Sequence, residues 1–196
     1  HRAPGQTPVH FLTMELLEGP RLGQLLRQAP LEPTQVLHLA RQLLAGLAAI
    51  HRAGVLHLDF KSDNIVLRGP AEPREAVIID FGLSSLADAP FPDPTLPHAG
   101  TPAYMAPEQV LAVKPSAHSD VFSFGVVLFE MLTGRLPFAV PARSPADDVV
   151  RRMLEPPPKP SDFARDIPPA LDAFVTRCLA GVRQRRFGDG GEALEG

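Results

Sequence analysis

The sequence predicts a mainly α fold of the α+β class, built around a central buried helix, with one small β-hairpin and a short strand near its start. Apolar residues recur at helical spacing in several long segments, whereas short apolar runs suited to strands are few. The chain has 196 residues, of which 44% are hydrophobic and 21% are charged. These values are ordinary for a soluble globular protein of one or at most two domains.

The first two elements come before residue 31. The apolar run at residues 9–17 lacks a helical period and predicts a buried strand, which leads into a linker at Gly19 and Pro20. A short helix is predicted to begin at Leu22 and to end near Pro30.

A long amphipathic helix is predicted after Pro33, and Gly54 closes it. Two short strands follow at residues 65–67 and 76–79, joined by a segment rich in turn-forming residues. Residues 87–98 are rich in proline and aspartate and have no period, which indicates a long loop. Long loops inside a compact domain are usually functional.

The central helix is predicted at residues 121–132, because this segment is apolar on nearly every face; Gly134 and Pro137 stop it. A further helix is predicted at residues 171–179, and its apolar residues are Leu171, Phe174, Val175, Cys178 and Leu179. Cys178 lies among these apolar neighbours, so we expect a core thiol.

Composition excludes several function classes. A net charge of −3 gives the chain no general attraction to nucleic acid or to an anionic membrane surface. One cysteine cannot form an intramolecular disulfide or a multi-cysteine metal site. No apolar run approaches the roughly 20 residues that span a bilayer. We therefore expect a cytoplasmic location, with no nucleic-acid partner and no membrane contact from this segment.

The stretch HLDFKSDN, residues 57–64, holds side chains suited to phosphoryl transfer. That reaction needs a carboxylate near the attacking hydroxyl, cations near the phosphates and oxygen ligands for magnesium. Asp59 can accept or orient the hydroxyl proton, and Lys61 can reach the transferring phosphate. Asn64 offers an oxygen to Mg²⁺. A second metal ligand should come from another segment, and Asp80 follows an apolar strand.

With these motifs the sequence resembles the protein kinase family, specifically the C-terminal lobe of a bacterial-type serine/threonine kinase. Five features occur in the family's order: the catalytic loop at residues 57–64, the metal-binding triplet at 80–82, the end of the activation segment at 106–108, the central helix at 119–138, and Arg186. Any one of them could occur by chance, but five in order make the resemblance specific.

The resemblance implies a role for each matching position. The catalytic residues would be Asp59, Lys61 and Thr101. The metal ligands would be Asn64 and Asp80. Structural roles would fall to His57, Phe81, Gly82, Glu108, Asp120 and Arg186, with Asp120 bracing the catalytic loop and Arg186 pairing with Glu108. The nucleotide would contact Met14, Glu15, Leu17, Leu22 and Val66. Arg21 stands where the family often has an acid for the ribose, so that contact is not assigned.

The resemblance also implies the domain boundaries. Residues 1–196 would be a partial kinase domain, made of the hinge and the C-terminal lobe. Within it, residues 9–20 would form the hinge strand and linker, 57–82 the catalytic and metal-binding segment, and 80–108 the activation segment. The family's N-terminal lobe supplies a glycine-rich phosphate loop, a strand lysine and a helix glutamate. No such pattern precedes residue 9, so we expect that lobe to be absent from this chain and to be its missing partner.

The expected function is ATP-dependent transfer of the γ-phosphoryl group to a serine or threonine hydroxyl of a protein substrate. ATP would be the co-substrate and Mg²⁺ or Mn²⁺ the cofactor. One alternative is a pseudokinase-like binding module without turnover, and this chain alone is expected to be inactive. A less favoured alternative is a small-molecule kinase of the aminoglycoside or choline type, which shares part of the catalytic loop but not the segments at 80–82 and 106–108.

Leu58 departs from the family pattern. In most of the family an arginine at this place pairs with a phosphorylated residue of the activation segment. Leucine cannot form that pair, so a phosphate on Thr95, the only threonine of the central loop, would lack this partner. Leu58 could also simply pack beneath the loop, and the two interpretations are compatible. Both predict that packing, and not phosphate, holds the loop.

Overall fold

The computed structural model describes residue 13 and residues 15–69, 74–81, 84–86, 101–138 and 145–196. These parts contain seven α-helices, four short strands and three 3₁₀ turns. The helices are α1 Leu22–Leu26, α2 Pro33–Arg52, α3 Pro107–Val110, α4 Ala117–Thr133, α5 Pro145–Leu154, α6 Pro169–Cys178 and α7 Gly190–Glu195. The strands are β1 Val55–Leu56, β2 Ile65–Arg68, β3 Glu75–Ile78 and β4 Ser85–Leu86. The predicted mainly α fold with a small hairpin is confirmed.

Helix α4 is the centre of the core, as the sequence predicts. Fourteen of its 17 residues are buried, so apolar side chains on every face have neighbours to pack against. The helix ends at Gly134, which takes the left-handed backbone conformation (φ 67°) that closes a helix at little cost. A side chain at Gly125 would place its β-carbon 2.7 Å from Cβ of Cys178. Glycine therefore lets α6 approach α4 closely.

The four strands form two antiparallel pairs that position two loops. In one pair Ile65 of β2 lies opposite Ile78 of β3, and in the other Val55 of β1 lies opposite Leu86 of β4. The β1–β2 loop therefore runs from one strand pair to the other, and the β3–β4 loop runs back again. The sequence predicts only the β2–β3 hairpin, because strands of two residues are too short to show a period.

Two of the predictions for the chain before residue 31 are wrong. Helix α1 ends at Leu26 and not near Pro30, because the chain turns back toward α4 and Leu31 N–H donates to the carbonyl oxygen of Met131 at 3.1 Å. Residues 15–17 do not form a strand. Leu16 is 86% exposed, and no described strand pairs with this segment, so the apolar run there reflects no buried sheet position. The rest of the predicted strand, residues 9–12 and 14, lies outside the described residues, as does the predicted loop at 87–98.

The sequence predicts no helix at α3, α5 or α7. The inward face of α5 carries Arg152, whose side chain is only 3% exposed, so the apolar period is interrupted by a cation. Helix α7 begins within a glycine-rich stretch, and Asp189 caps it by accepting the N–H groups of Gly191 and Glu192. Within the described residues, no helix combines the length and apolar character needed to cross a membrane.

The single cysteine lies in the core as expected. Cys178 is a free thiol with no exposed surface, and this burial raises its pKa. A thiol kept protonated in this way is a packing group and not a nucleophile at neutral pH.

Candidate active site

The carboxylate of Asp59 is the centre of a hydrogen-bonded cluster. Lys61 Nζ donates to Asp59 Oδ2 at 2.6 Å and to Thr101 Oγ1 at 2.8 Å. The backbone N–H of Thr101 donates to Asp59 Oδ1 at 3.2 Å, and Asn64 Nδ2 donates to Asp59 Oδ2 at 3.1 Å. The structure thus brings together the three residues expected to be catalytic and one expected metal ligand. The Asp59 side chain remains 9% exposed and that of Lys61 21% exposed, so the cluster borders solvent.

Local backbone geometry turns these side chains to one side of the loop. Lys61 is extended, and a 3₁₀ turn at Ser62–Asn64 follows it directly. Asn64 closes the loop twice, because its N–H donates to the Lys61 carbonyl at 2.9 Å and its Nδ2 donates to the Asp59 carbonyl at 2.9 Å. Ser62 and Asn64 are both buried, which fixes the turn. The extended Lys61 and the turn after it therefore explain why Asp59, Lys61 and Asn64 can meet although they are two and three residues apart in the sequence.

Asp80 follows the strand that is paired beside Asn64. The N–H of Ile79 donates to the carbonyl oxygen of Asn64 at 2.9 Å, so the residue after Ile79 begins next to the catalytic loop. Asp80 is exposed and takes a left-handed backbone conformation (φ 65°). Such a conformation is uncommon for a residue with a side chain, and it often marks a functional position.

The side chains of Asn64 and Asp80 carry oxygen atoms of the kind that Mg²⁺ binds. Both bonds from the Asn64 side chain use Nδ2, which turns Oδ1 away from Asp59. Among the described residues there is no group of three or more histidine, cysteine, aspartate or glutamate side chains that could hold a metal. An amide oxygen and one carboxylate match the habit of Mg²⁺, which is held by few protein ligands together with phosphate and water.

Asp120 braces the backbone of the catalytic loop from below. This carboxylate has no exposed surface and accepts the backbone N–H of His57 through Oδ2 and that of Leu58 through Oδ1, both at 2.8 Å. His51 Nε2 lies 2.9 Å from Oδ2. Because the N–H of Gly190 donates to His51 Nδ1 at 3.1 Å, the proton of the His51 ring is on Nε2 and points at Asp120. Sequence reasoning assigned no role to His51.

His57 has the packed, structural setting expected of it. Its ring has no exposed surface, its Nε2 lies 3.2 Å from the Ile79 carbonyl, and its Nδ1 accepts the N–H of Asp59 at 3.4 Å. The Phe81 ring packs on it with centroids 4.9 Å apart, although Phe81 is 45% exposed. His57 therefore joins the two loops. Gly82, the other member of the predicted structural group here, lies outside the described residues.

Glu108 and Arg186 form a bidentate ion pair inside the protein. Arg186 Nη1 donates to Glu108 Oε1 at 2.7 Å and Nη2 donates to Oε2 at 3.0 Å, and Ser119 Oγ also donates to Oε1 at 2.8 Å. Burial alone would raise the pKa of Glu108, but the bonds from Arg186 and Ser119 outweigh it and hold that pKa below its ordinary value. The pair ties α3 to the segment before α7, and the bond from Ser119 ties it to α4.

A second cluster, which is partly buried, joins the segment after Thr101 to α4. Tyr104 donates its hydroxyl proton to Glu130 Oε2 at 2.8 Å, and Ser62 Oγ lies 3.0 Å from the same hydroxyl. Burial raises the pKa of Tyr104, as does the nearby Glu130 carboxylate, and burial also raises the pKa of Glu130. Sequence reasoning missed Tyr104 and Glu130, since neither belongs to a motif with an obvious chemical role.

The residues expected to contact the nucleotide are only partly described. Leu22 and Val66 are buried, and the neighbouring Arg21 forms an isolated antiparallel bridge with Val66. Leu17 is half-buried, and Glu15 is exposed with its carboxylate 3.4 Å from Arg68. Met14 lies outside the described residues.

Comparison with known proteins gives a match over nearly the whole chain. The family described as "Protein kinase domain" matches residues 5–194. The chain is 36% identical over 185 residues to serine/threonine-protein kinase Pkn1 of Myxococcus xanthus, covering 92% of this chain and 26% of that protein. It is 34% identical over 178 residues to serine/threonine-protein kinase pkn3 of the same organism, covering 87% and 32%.

A third relative comes from another bacterium. Serine/threonine-protein kinase PknL of Mycobacterium tuberculosis is 36% identical over 180 residues, covering 91% of this chain and 44% of that protein. The chain thus spans less than half the length of these curated relatives.

Proposed function

This chain belongs to the protein kinase family, and from that premise we propose that it carries the catalytic lobe of an ATP-dependent serine/threonine protein kinase. The proposed reaction moves the γ-phosphoryl group of Mg·ATP to a serine or threonine hydroxyl of a protein substrate. The observation that carries the proposal is the cluster around Asp59, where a carboxylate, a lysine and a threonine meet at the edge of solvent. Bacterial relatives that are named serine/threonine-protein kinases support it.

Asp59 is the proposed acceptor of the hydroxyl proton. As the substrate oxygen bonds to the γ-phosphorus, the bond from that phosphorus to the β–γ bridging oxygen breaks and ADP leaves. The proton of the hydroxyl passes to the Asp59 carboxylate. Asn64 and Thr101 hold that carboxylate in one orientation, so little reorganisation is needed as the proton arrives.

Lys61 is the proposed cation at the transferring group. Its ammonium group already lies between Asp59 and Thr101 with bonds of 2.6 and 2.8 Å, and it is 21% exposed. From there it can offer a proton to a phosphate oxygen and stabilise the charge that develops there. Lysine here and threonine at 101 also support a serine or threonine acceptor, since the resemblance links this pair to that class.

Asn64 and Asp80 are the proposed ligands of Mg²⁺ or Mn²⁺. When bound, the ion would neutralise charge on the phosphates of ATP. The protein's part is to keep both oxygens in place. The backbone bond between Ile79 and Asn64 does so, because it ties the two loops together at 2.9 Å. The proposed adenine floor includes Val66, with Leu22 packed in the core beneath it and hinge contacts from Met14, Glu15 and Leu17.

The proposal is tested by phosphate transfer from γ-labelled ATP. Because the resemblance assigns the phosphate loop to the family's N-terminal lobe, the assay uses this chain with such a lobe joined ahead of the hinge. We expect label on serine and threonine of a protein acceptor, with transfer lost when a chelator removes the divalent ion. Phosphoamino-acid analysis identifies the acceptor.

The same assay separates the alternatives. Binding of Mg·ATP without transfer to any acceptor would favour a pseudokinase-like module and contradict the proposal. Transfer to an aminoglycoside or to choline, with none to protein, would favour a small-molecule kinase. Label on tyrosine alone would contradict the proposed acceptor class.

A further inference from the structure

Leu58, the residue before Asp59, is held in an unfavourable backbone conformation. Its φ is 65°, in the left-handed region that residues with a side chain avoid because the β-carbon crowds the following carbonyl oxygen. Such a conformation persists only where surrounding contacts enforce it. The direction of the Asp59 side chain depends on this conformation, because a change in the backbone angles of Leu58 would rotate the residue that follows it.

The peptide groups of Leu58 are fixed from two sides. Its N–H donates to Asp120 Oδ1 at 2.8 Å, which is the bracing contact already described. Its carbonyl oxygen accepts a hydrogen bond from Gln109 Nε2 at 3.0 Å, and Gln109 comes from α3, 51 residues along the chain. Two elements therefore enforce the left-handed conformation, one at each end of the residue.

The orientation of the Gln109 amide is settled by its other contact. Gln109 Oε1 accepts the backbone N–H of Ala106 at 3.0 Å, so Nε2 must be the group that faces Leu58. Gln109 is 8% exposed, and its neighbour Glu108 is anchored to Arg186. The glutamine is thus a short, buried link between a rigidly anchored helix and the strained residue of the loop.

We propose that Gln109 is a positioning residue that latches the catalytic loop to the anchored end of the activation segment at Leu58. The latch uses a neutral amide and a backbone carbonyl, so it forms without phosphorylation. It acts through Leu58 on the direction of the Asp59 carboxylate and touches no reacting atom. The expected effect of Gln109 on catalysis rests on the proposed function, whereas the contact between Gln109 and Leu58 is independent of it.

The simpler interpretation is that Gln109 only caps α3. Gln35 does this in α2, at the same third position, by accepting the N–H of Glu32 at 3.3 Å. Among the described hydrogen bonds Gln35 has no bond to the backbone of a distant loop, and its side chain is only partly buried. Gln35→Glu is therefore a matched control for Gln109→Glu: both keep the capping oxygen, and only the second removes a donor from Leu58.

The experiment is hydrogen–deuterium exchange on this chain, followed by mass spectrometry of the peptide covering residues 55–64. Gln109→Glu should speed exchange of that peptide by about tenfold, because one buried hydrogen bond is lost and a carboxylate oxygen faces a carbonyl oxygen. Gln35→Glu should leave it unchanged, and peptides from α4 should keep their protection in both variants. Gln109→Met, which keeps the length without either bond, is the second variant should the carboxylate prevent folding.

Activity gives the second readout. With the N-terminal lobe supplied, Gln109→Glu should lower kcat about tenfold and leave KM for ATP within twofold, since the latch orients Asp59 and does not bind nucleotide. Unchanged exchange in both Gln109 variants, or faster exchange spread evenly through α4, would overturn the latch. Local exchange as expected in a protein that transfers no phosphate would support the latch and contradict the proposed function.

Discussion

Asp59 and Asp120 are two carboxylates of one small region, and they are satisfied in opposite ways. Asp120 has no exposed surface and is bonded by two backbone N–H groups and by the ring of His51. The Asp59 side chain is 9% exposed, and it is bonded by one backbone N–H group, that of Thr101, and by the side chains of Lys61 and Asn64. The first carboxylate lies wholly inside the core, whereas the second lies at the edge of solvent, where the partly exposed Lys61 is one of its partners.

The difference separates a structural carboxylate from a chemical one. A carboxylate bonded to backbone N–H groups in the core fixes those peptides, and losing it leaves buried donors without partners. A carboxylate at the edge of solvent can exchange a partner for a substrate hydroxyl at small cost. We therefore expect substitution of Asp120 to affect folding and substitution of Asp59 to affect turnover.

The largest expected effect is that of Asp59→Asn on turnover. An amide cannot take the hydroxyl proton, so kcat should fall by about a thousandfold, which is about 4 kcal/mol of barrier. Binding of Mg·ATP should stay nearly intact, because the carboxylate acts in the transition state. Kinetics of peptide phosphorylation with the N-terminal lobe supplied check this, together with calorimetry for the nucleotide. A variant that kept a tenth of the activity would show that Asp59 is not the catalytic base.

The next effect is that of Asp120→Asn on stability. The amide nitrogen would face one of the backbone donors of His57 and Leu58, so at least one buried N–H loses its partner. We expect the free energy of unfolding to fall by about 3 kcal/mol. Urea denaturation of this chain measures it, with Asp59→Asn as the control that should change by less than about 1 kcal/mol. An equal loss of unfolding free energy in both variants would contradict the distinction between a structural Asp120 and a chemical Asp59.

A third structural carboxylate, Glu108, sharpens the comparison through its dependence on pH. Its pKa in the folded protein lies below the ordinary 4.5, because Arg186 and Ser119 favour the charged form despite burial. Its contribution to stability is therefore complete above pH 4.5 and is lost as the pH falls through the folded value. Glu108→Gln should cost about 2 kcal/mol at neutral pH, and the difference from the unmodified chain should shrink below that point. If the difference in unfolding free energy between Glu108→Gln and the unmodified chain stayed constant down to pH 3, protonation of Glu108 would not be coupled to folding.

Sequence reasoning has most to work with where the determinants are local. Asp59, Lys61 and Asn64 fall within one short loop, and α4 is apolar along its whole length, so each could be predicted from neighbouring residues. It missed distant partners that belong to no motif of the family resemblance. His51 contacts Gly190 across 139 residues, and Gln109 contacts Leu58 across 51. Spacing along the chain carries no information about such pairs.

Helix α5 shows a second kind of failure. Its buried side includes Arg152, which donates to the Met105 carbonyl at 2.6 Å and pairs with Asp148. A cation on the inward face interrupts the apolar period on which helix prediction depends. The burial of Arg152 is understandable only once its partners on other segments are known. The polar contacts that position the candidate site are hidden from the sequence for the same reason.

The smallest expected effect concerns phosphate on the activation segment. Thr95 lies outside the described residues, and the position that would offer it an arginine holds Leu58 instead. Both peptide groups of Leu58 are already bonded, to Asp120 and to Gln109, so the loop has fixed contacts that need no added charge.

Thr95→Ala should therefore leave peptide phosphorylation within about threefold, a change of roughly 0.7 kcal/mol in the barrier. Phosphatase treatment of the unmodified protein should have an equally small effect, since a phosphate without a cationic partner orders nothing. Activity with the N-terminal lobe supplied is measured before and after phosphatase and again in the variant. A large loss of activity in either case would mean that another basic residue binds the phosphate. The loop would then depend on phosphorylation even though Leu58 replaces the arginine. If both stay small while Gln109→Glu lowers kcat, the amide contact and not a phosphate holds Asp59 in place.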